Sequence, residues 1–301
     1  MLFEMDRRTP VIVQGITGRM GQMHAQLMRR YGTNIVGGTG SVKPGAEQAF
    51  PVAETCAEIV ARTHAVASIV IVPPAAVLDA VAQAVDAGIK VIVTVAEGIP
   101  VHDAVKIRAL TRAAGVTWIG PSTPGFCMPG EIKLGFLPDV SLAPGEFAVA
   151  SKSGTLSYEV GRRMRECGLG QSIWIGVGGD PVKGTRFGDL AKGFLRHRPT
   201  RAVVLIGEIG GNEEEEFAQV WEALGGGKPV YALIAGAQAK EGVPMGHAGA
   251  LVMGDSGSLA SKQARLRQAG VRVFDTIQAL VDAMARDAAP AARGGHEEIK
   301  S

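Results

Sequence analysis

Short β-branched runs alternate with helical patterns along the whole chain. In the first half the runs are Val11-Ile12-Val13, Asn34-Ile35-Val36, Ser68-Ile69-Val70-Ile71-Val72, Lys90-Val91-Ile92-Val93 and Val116-Thr117-Trp118-Ile119, with helical periodicity at 20–30, 75–87 and 103–114 between them. Strands this uniformly apolar are covered on both faces, which predicts parallel sheets sandwiched between helix layers. A Gly/Pro-rich passage over 120–145 interrupts the rhythm. It restarts with Phe147-Ala148-Val149-Ala150, Ile173-Trp174-Ile175, Ala202-Val203-Val204-Leu205, Val230-Tyr231-Ala232-Leu233 and Val271-Arg272-Val273-Phe274. The pattern predicts two α/β domains, 1–144 and 145–287, joined near Pro144-Gly145, and an aperiodic tail over 288–301.

Composition narrows this picture. A chain of 301 residues with 46% hydrophobic and 20% charged positions can bury two cores, and its net charge of +2 argues against disorder and against a nucleic-acid partner. Cys56, Cys127 and Cys167 are odd in number and far apart, so neither a disulfide framework nor a metal site is expected, and a reducing compartment fits. Cys127 alone lies in a motif-rich loop, as either a reactive thiol or a small buried hydrophobe. The first six residues show no basic segment followed by an apolar one, so no secretion signal is expected. The most apolar run, 65–78, is broken by Pro73-Pro74 and is too short for a bilayer. A cytoplasmic protein is expected, with an organelle matrix as the other setting.

Three glycine-rich turns carry candidate chemistry. Gly15-Ile16-Thr17-Gly18-Arg19-Met20-Gly21 follows the first strand and opens the first helix, where free N–H groups and the helix dipole suit a phosphate. A nicotinamide-dinucleotide site would end the second strand with a ribose-binding carboxylate, but Val36-Gly37-Gly38-Thr39 stands there and Lys43 follows. In the second half, Ser151-Lys152-Ser153-Gly154-Thr155-Leu156-Ser157 offers hydroxyls and N–H groups to an anion, or caps its helix through Ser153 or Thr155. The third turn places Glu208 at a strand's carboxyl end, and the acidic run 213–216 after it reads as a solvated first helical turn favoured by the dipole. Finally, His247 sits among small residues in Met245-Gly246-His247-Ala248-Gly249-Ala250. A neutral imidazole is nucleophilic near its ordinary pKa of about 6.5, so this histidine reads as a phosphoryl carrier or as an ordinary loop residue.

Taken together, Gly15-Ile16-Thr17-Gly18, Ala96-Glu97-Gly98-Ile99-Pro100, Ser153-Gly154-Thr155-Leu156, Gly178-Gly179-Asp180-Pro181, Gly207-Glu208-Ile209-Gly210-Gly211 and Gly246-His247-Ala248-Gly249-Ala250 have the order and spacing of one family. From about Thr9 to Ala285 the chain resembles the α subunit of succinyl-CoA synthetase (succinate–CoA ligase). The resemblance implies a Rossmann-like CoA-binding domain followed by a flavodoxin-like ligase domain, both with parallel sheets. It implies that Thr17, Gly18, Arg19, Met20 and Lys43 bind CoA, with Ala96 and Glu97 lining its path. His247 becomes a phosphohistidine, Glu208 holds its other ring nitrogen, and Ser153, Gly154 and Thr155 hold the phosphoryl group. Tyr158, Ser122, Thr123, Pro124 and Gly125 fall near the carboxylate substrate. No metal is expected on this chain. A separate β subunit with an ATP-grasp domain would bring ATP or GTP and Mg²⁺, in an αβ or α₂β₂ assembly.

Departures from the family pattern bear on the acid. Gly120-Pro121-Ser122-Thr123-Pro124-Gly125 replaces Gly-Pro-Asn-Cys-Pro-Gly, Ala96-Glu97-Gly98 replaces Thr-Glu-Gly, and Gln238-Ala239-Lys240-Glu241-Gly242 replaces Thr-Ala-Pro-Lys-Gly. Succinate or a related dicarboxylate is expected. The alternatives are a CoA ligase for another acid, of the malate, citrate or acetate type, a non-catalytic CoA-binding regulatory module and a nicotinamide-dependent oxidoreductase. His247 and Glu208 speak against the module, Gly37-Gly38 against the oxidoreductase.

Overall fold

The structure is a computed structural model that describes all residues except 43–44, 46–47, 237–248, 251–256 and 289–301. Its first sheet contains β1 (Val11–Gln14), β2 (Ile35–Thr39), β3 (Val52–Ala53), β4 (Ala67–Val70), β5 (Val91–Thr94) and β6 (Thr117–Ile119). All are parallel, in the order β3-β2-β1-β4-β5-β6. The helices α1 (Arg19–Tyr31), α2 (Cys56–Thr63), α3 (Val77–Asp86) and α4 (Val101–Ala113) make the crossovers. Strand order reverses on either side of β1, so a crevice opens outside the carboxyl ends of β1 and β4. This is the Rossmann-like arrangement that the resemblance implies.

The second sheet holds β7 (Gly125–Met128), β8 (Ile132–Gly135), β9 (Pro144–Ser151), β10 (Gln171–Gly176), β11 (Ala202–Glu208), β12 (Val230–Ala235) and β13 (Arg272–Phe274). Its helices are α5 (Gly154–Glu166), α6 (Phe187–Arg196), α7 (Glu213–Ala223), α8 (Leu259–Gln268) and α9 (Ile277–Ala288). The order β13-β12-β11-β9-β10-β7-β8 contains the flavodoxin-like pattern, with a switch point between β9 and β11. The sheet is mostly rather than wholly parallel. β7 runs antiparallel to β10, and β8 to β7, because the short link between the two hairpin strands cannot make a parallel crossover. This hairpin lies inside the passage read from sequence as a joint. The chain therefore changes sheets between Ile119 and Gly125, well before Pro144-Gly145.

The hairpin also ties the halves together. Phe126, Ile132 and Leu134 share one apolar core with Val11, Val13 and Met28, while Thr33 donates to the Lys133 carbonyl at 2.7 Å and accepts its N–H at 2.9 Å. Lys133, 4% exposed, pairs with Asp139 and lies 4.5 Å over the Tyr31 ring. No described helix is long and apolar enough to cross a membrane.

Cys127 is part of this packing. It is fully buried, its sulfur 3.6 Å from the Tyr31 hydroxyl, and burial pushes its thiol up to about 12, which rules out the reactive reading at neutral pH. Burial also lifts Cys56 to about 11, whereas Cys167 is exposed. Brief treatment of the native protein with a maleimide at pH 7 is therefore expected to modify Cys167 and spare the other two, as read by peptide mass spectrometry.

Candidate functional site

The turn from Gly15 to Gly21, read from sequence as a candidate anion site, is shaped by close backbone approach. Gly15 has φ +83°, and a Cβ there would lie 2.3 Å from the Ile71 carbonyl oxygen; one on Gly21 would lie 2.0 Å from that of Gly15. The Gly15 and Ile16 amides donate to the Thr39 carbonyl at 3.0 Å each, so the turn is fastened to the end of β2. Gly18 precedes α1 and no side chain caps the helix, which leaves its positive end turned toward the crevice. Thr17 packs against Gly40, and Gly18, Arg19 and Met20 are exposed on the rim. Beside them lies a cleft of about 410 Å³ lined by Gln14, Gly15, Thr39, Gly40, Ser41 and Val72, among others. β2 ends without a carboxylate, yet Glu54, just after β3, lines the same cleft. Lys43 lies outside the described residues.

A second convergence lies where the two sheets meet. The Ser122 amide donates to the Ala96 carbonyl at 3.0 Å, which brings the Ala96-Glu97 loop against the 120–124 loop. Ser122 itself has φ +52°, a left-handed conformation that asparagine adopts more readily than serine. Thr123 is 4% exposed and its hydroxyl is committed, donating to the Gly176 carbonyl and accepting the Gly125 N–H at 3.0 Å. It pins the loop to the end of β10. Pro124 reaches the start of α5, where a Cβ on Gly154 would meet it at 3.6 Å and the Tyr158 hydroxyl at 3.5 Å. Burial holds the Tyr158 pKa above its ordinary value. Ser153 caps α5, its hydroxyl accepting the Leu156 N–H at 3.3 Å, so of the two capping candidates Thr155 stays exposed and Ser153 is used. Ala96, Ser122, Thr123, Pro124, Gly154 and Tyr158 thus come together from both halves of the chain.

Across the second sheet's switch point stands Glu208, 7% exposed at the end of β11. Its backbone N–H donates to Glu214 Oε1 at 3.1 Å. The acidic run is not a solvated face. Glu214 is fully buried, 3.0 Å from Lys152 Nζ and in contact with Lys262, which also reaches Glu215 Oε2 at 3.0 Å and the Gly211 carbonyl at 3.1 Å. Glu213 is buried too, 2.9 Å from Lys183, and Glu216 pairs with Arg186 at 2.7 Å. Burial works against the Glu214 charge, but the two ammonium groups and their hydrogen bonds prevail and hold its pKa below the ordinary value. For Lys152, burial is likewise outweighed, by Glu214, Glu213 and Glu208, and its pKa is raised.

Sequence reasoning missed these lysines. They come from three separate places: after β9, before α6 and within α8. The one local signal is Lys152, which directly follows a strand whose last five residues are all buried, and a charge in that position needs a partner. The helix dipole explains why acids start α7 without revealing which of them turn inward.

His247 lies outside the described residues. Two positions after it, Gly249 packs so that a Cβ would sit 2.9 Å from the Gly179 carbonyl oxygen, and farther on Gly257 accepts the Gly210 N–H at 2.8 Å. Gly249 and Gly257 therefore lie against the turns beside the 120–124 loop and beside Glu208, respectively.

A CoA binding domain family matches residues 6–98, and a CoA-ligase family matches residues 150–272. The succinate–CoA ligase [ADP-forming] subunit alpha 1 of Archaeoglobus fulgidus is 44% identical over 94% of this chain and 97% of its own. The malate–CoA ligase subunit alpha of Methylorubrum extorquens is 39% identical over 89% and 92%. In fold, the chain is similar to an ATP citrate lyase from Methanothrix soehngenii, with a TM-score of 0.81 and 20% identity over 94% of this chain and 50% of that one.

Proposed function

This chain belongs to the succinate–CoA ligase α-subunit family, and we propose that its two crevices work in sequence, the first holding CoA and the second relaying a phosphoryl group through His247. It is the α subunit of an acid–thiol ligase and works with a β subunit. CoA binding is supported by the domain match and by a turn whose backbone amides and uncapped helix suit phosphate. In our reading Thr17, Gly18, Arg19, Met20 and Lys43 hold CoA, and the Ala96-Glu97 loop directs its thiol toward Ser122. We assign the nucleotide, ATP or GTP, and its Mg²⁺ to an ATP-grasp domain of the β subunit, and the enzyme to the cytoplasm.

Three transfers make up the proposed reaction. The imidazole of His247 attacks the γ-phosphorus, forming a P–N bond as the bond to the nucleoside diphosphate breaks. Glu208 accepts a hydrogen bond from the other ring nitrogen, fixing the tautomer and balancing the charge that develops. The carboxylate of the acid then takes the phosphoryl group, and the CoA thiol displaces phosphate from the acyl phosphate. We assign the positive end of α5, at Gly154 and Thr155, to the transferred phosphoryl group, with Tyr158 beside it.

The observation that carries this reading is the meeting of the Ala96, Ser122 and Gly154 segments at one point. It also frames the choice of acid. Because the Thr123 hydroxyl is spent inside the loop, only the Ser122 side of the Ser-Thr pair is left to distinguish acids, and we assign the enzyme to succinate or a hydroxylated relative such as malate. The test is reconstitution with the β subunit and a panel of carboxylates, following CoA-dependent phosphate release. Ser122→Asn/Thr123→Cys is expected to shift the ratio of kcat/KM between succinate and malate at least about tenfold, because a polar group left unpaired in a closed site is heavily penalised. An unchanged ratio would make the loop irrelevant to the choice of acid.

A further inference from the structure

The Gly178-Gly179-Asp180-Pro181 turn matches a family motif, yet the reaction above gives it no task. Lys183 follows in the same loop, before α6, and is 2% exposed. Its ammonium donates to the Gly178 carbonyl and lies 2.9 Å from Glu213 Oε1. Burial lowers its pKa, with Glu213 offsetting only part of the effect. The two partners belong to different parts of the site. Gly178, with φ +87°, is packed so tightly under the acid loop that a Cβ there would lie 2.0 Å from the Pro121 carbonyl oxygen and 3.2 Å from that of Ser122. Glu213 opens α7, and its neighbour Glu214 takes the Glu208 N–H at 3.1 Å.

One ammonium therefore spans the gap between the loop that meets the acid and the turn that carries Glu208. Stability alone does not call for such a group, since a buried ion pair is often replaced by apolar side chains at no cost. The pair is also imperfect, because the second oxygen of Glu213 is buried without a hydrogen-bond partner among the described residues. A fixed distance is what the arrangement does provide. Transfer from a phosphohistidine to a carboxylate needs the two reactants in line, and an error of about 1 Å costs on the order of a hundredfold in rate.

We propose that Lys183 is a positioning residue that sets the spacing between the Ser122 loop and the Glu208 turn, and so governs how well the acid discharges the phosphoenzyme. This rests on the proposed assignment of that loop to the acid. The Glu208 turn is held independently by Glu214, Lys152 and Lys262, so charging of the enzyme by nucleotide does not depend on Lys183.

The experiment uses the reconstituted αβ complex with the variants Lys183→Met, Lys183→Arg and Lys183→Met/Glu213→Gln. Two half-reactions are followed: labelling of the enzyme by γ-labelled ATP, and discharge of the isolated phosphoenzyme by succinate with CoA. Lys183→Met is expected to charge within about twofold of wild type while the rate constant for discharge by the acid falls tenfold or more. Lys183→Arg should recover most of that loss. If the single variant does not fold, the double variant, which removes both charges, is read in its place. Discharge at the wild-type rate, or equal losses in both half-reactions, would overturn the proposal. A wild-type complex that takes no label refutes the relay itself, a result distinguishable from a labelled enzyme whose variants behave normally.

Discussion

His247→Asn is expected to abolish phosphoryl transfer, with the loss at least about a thousandfold, because asparagine offers no nucleophilic ring nitrogen and the reaction has no shorter route that avoids a direct carboxylate–thiol condensation. CoA binding by the same variant should be unchanged. The wild-type complex should take one label from γ-labelled nucleotide, stable in base and lost in acid, mapping to His247. Glu208→Gln separates the partner from the nucleophile: it should slow labelling by about a hundredfold while leaving the Kd for CoA within about twofold, since its proposed work is to orient the ring and balance its charge. A label on serine, or an active asparagine variant, would contradict the relay.

The second large effect concerns stability. Glu214→Gln is expected to cost about 3–5 kcal/mol, because it leaves Lys152 and Lys262 buried with an amide in place of the carboxylate that neutralises them. For a domain of this size that lowers the thermal midpoint by about 10 °C, measurable by calorimetry. Replacing all three residues with apolar ones of similar volume should recover much of the loss. The same carboxylate gives stability a pH dependence. Its pKa is depressed in the folded state, so its contribution is complete above the unfolded value of about 4.3 and disappears as pH falls through the lower folded value. Acid unfolding of the wild type should steepen in that window, and the Gln variant should lack this component.

How far the sequence revealed this molecule depended on whether the relevant signal was local. The runs at Val11, Ser68, Ala202 and Val230 announced strands because apolar β-branched residues clustered there, and each lies in a strand. β7 and β8 hid in a passage dominated by Gly and Pro, since Phe126-Cys127 and Lys133-Leu134 give too short a period to stand out. The turns at Gly15 and Glu208 were legible from their glycines. That Thr123 spends its hydroxyl on Gly176, and that three distant lysines meet at the start of α7, depends on sheet order, which no local pattern encodes.

The hairpin has a bearing on heredity as well as on structure. β7 covers the side of β10 opposite β9, pairing Cys127 with Trp174 and Phe126 with Ile175. A gene exchange that joined two relatives at Pro144, where the alternating rhythm visibly resumes, would leave β10 pairing with a hairpin from the other parent, its cross-strand side-chain pairs no longer matched. Crossovers placed between Ile119 and Gly125 would instead pass the whole second sheet on intact, with the mismatch falling on the packing of Phe126, Ile132 and Leu134 with Val11, Val13 and Met28. Natural shuffling among such subunits is therefore expected to leave its scars upstream of the hairpin.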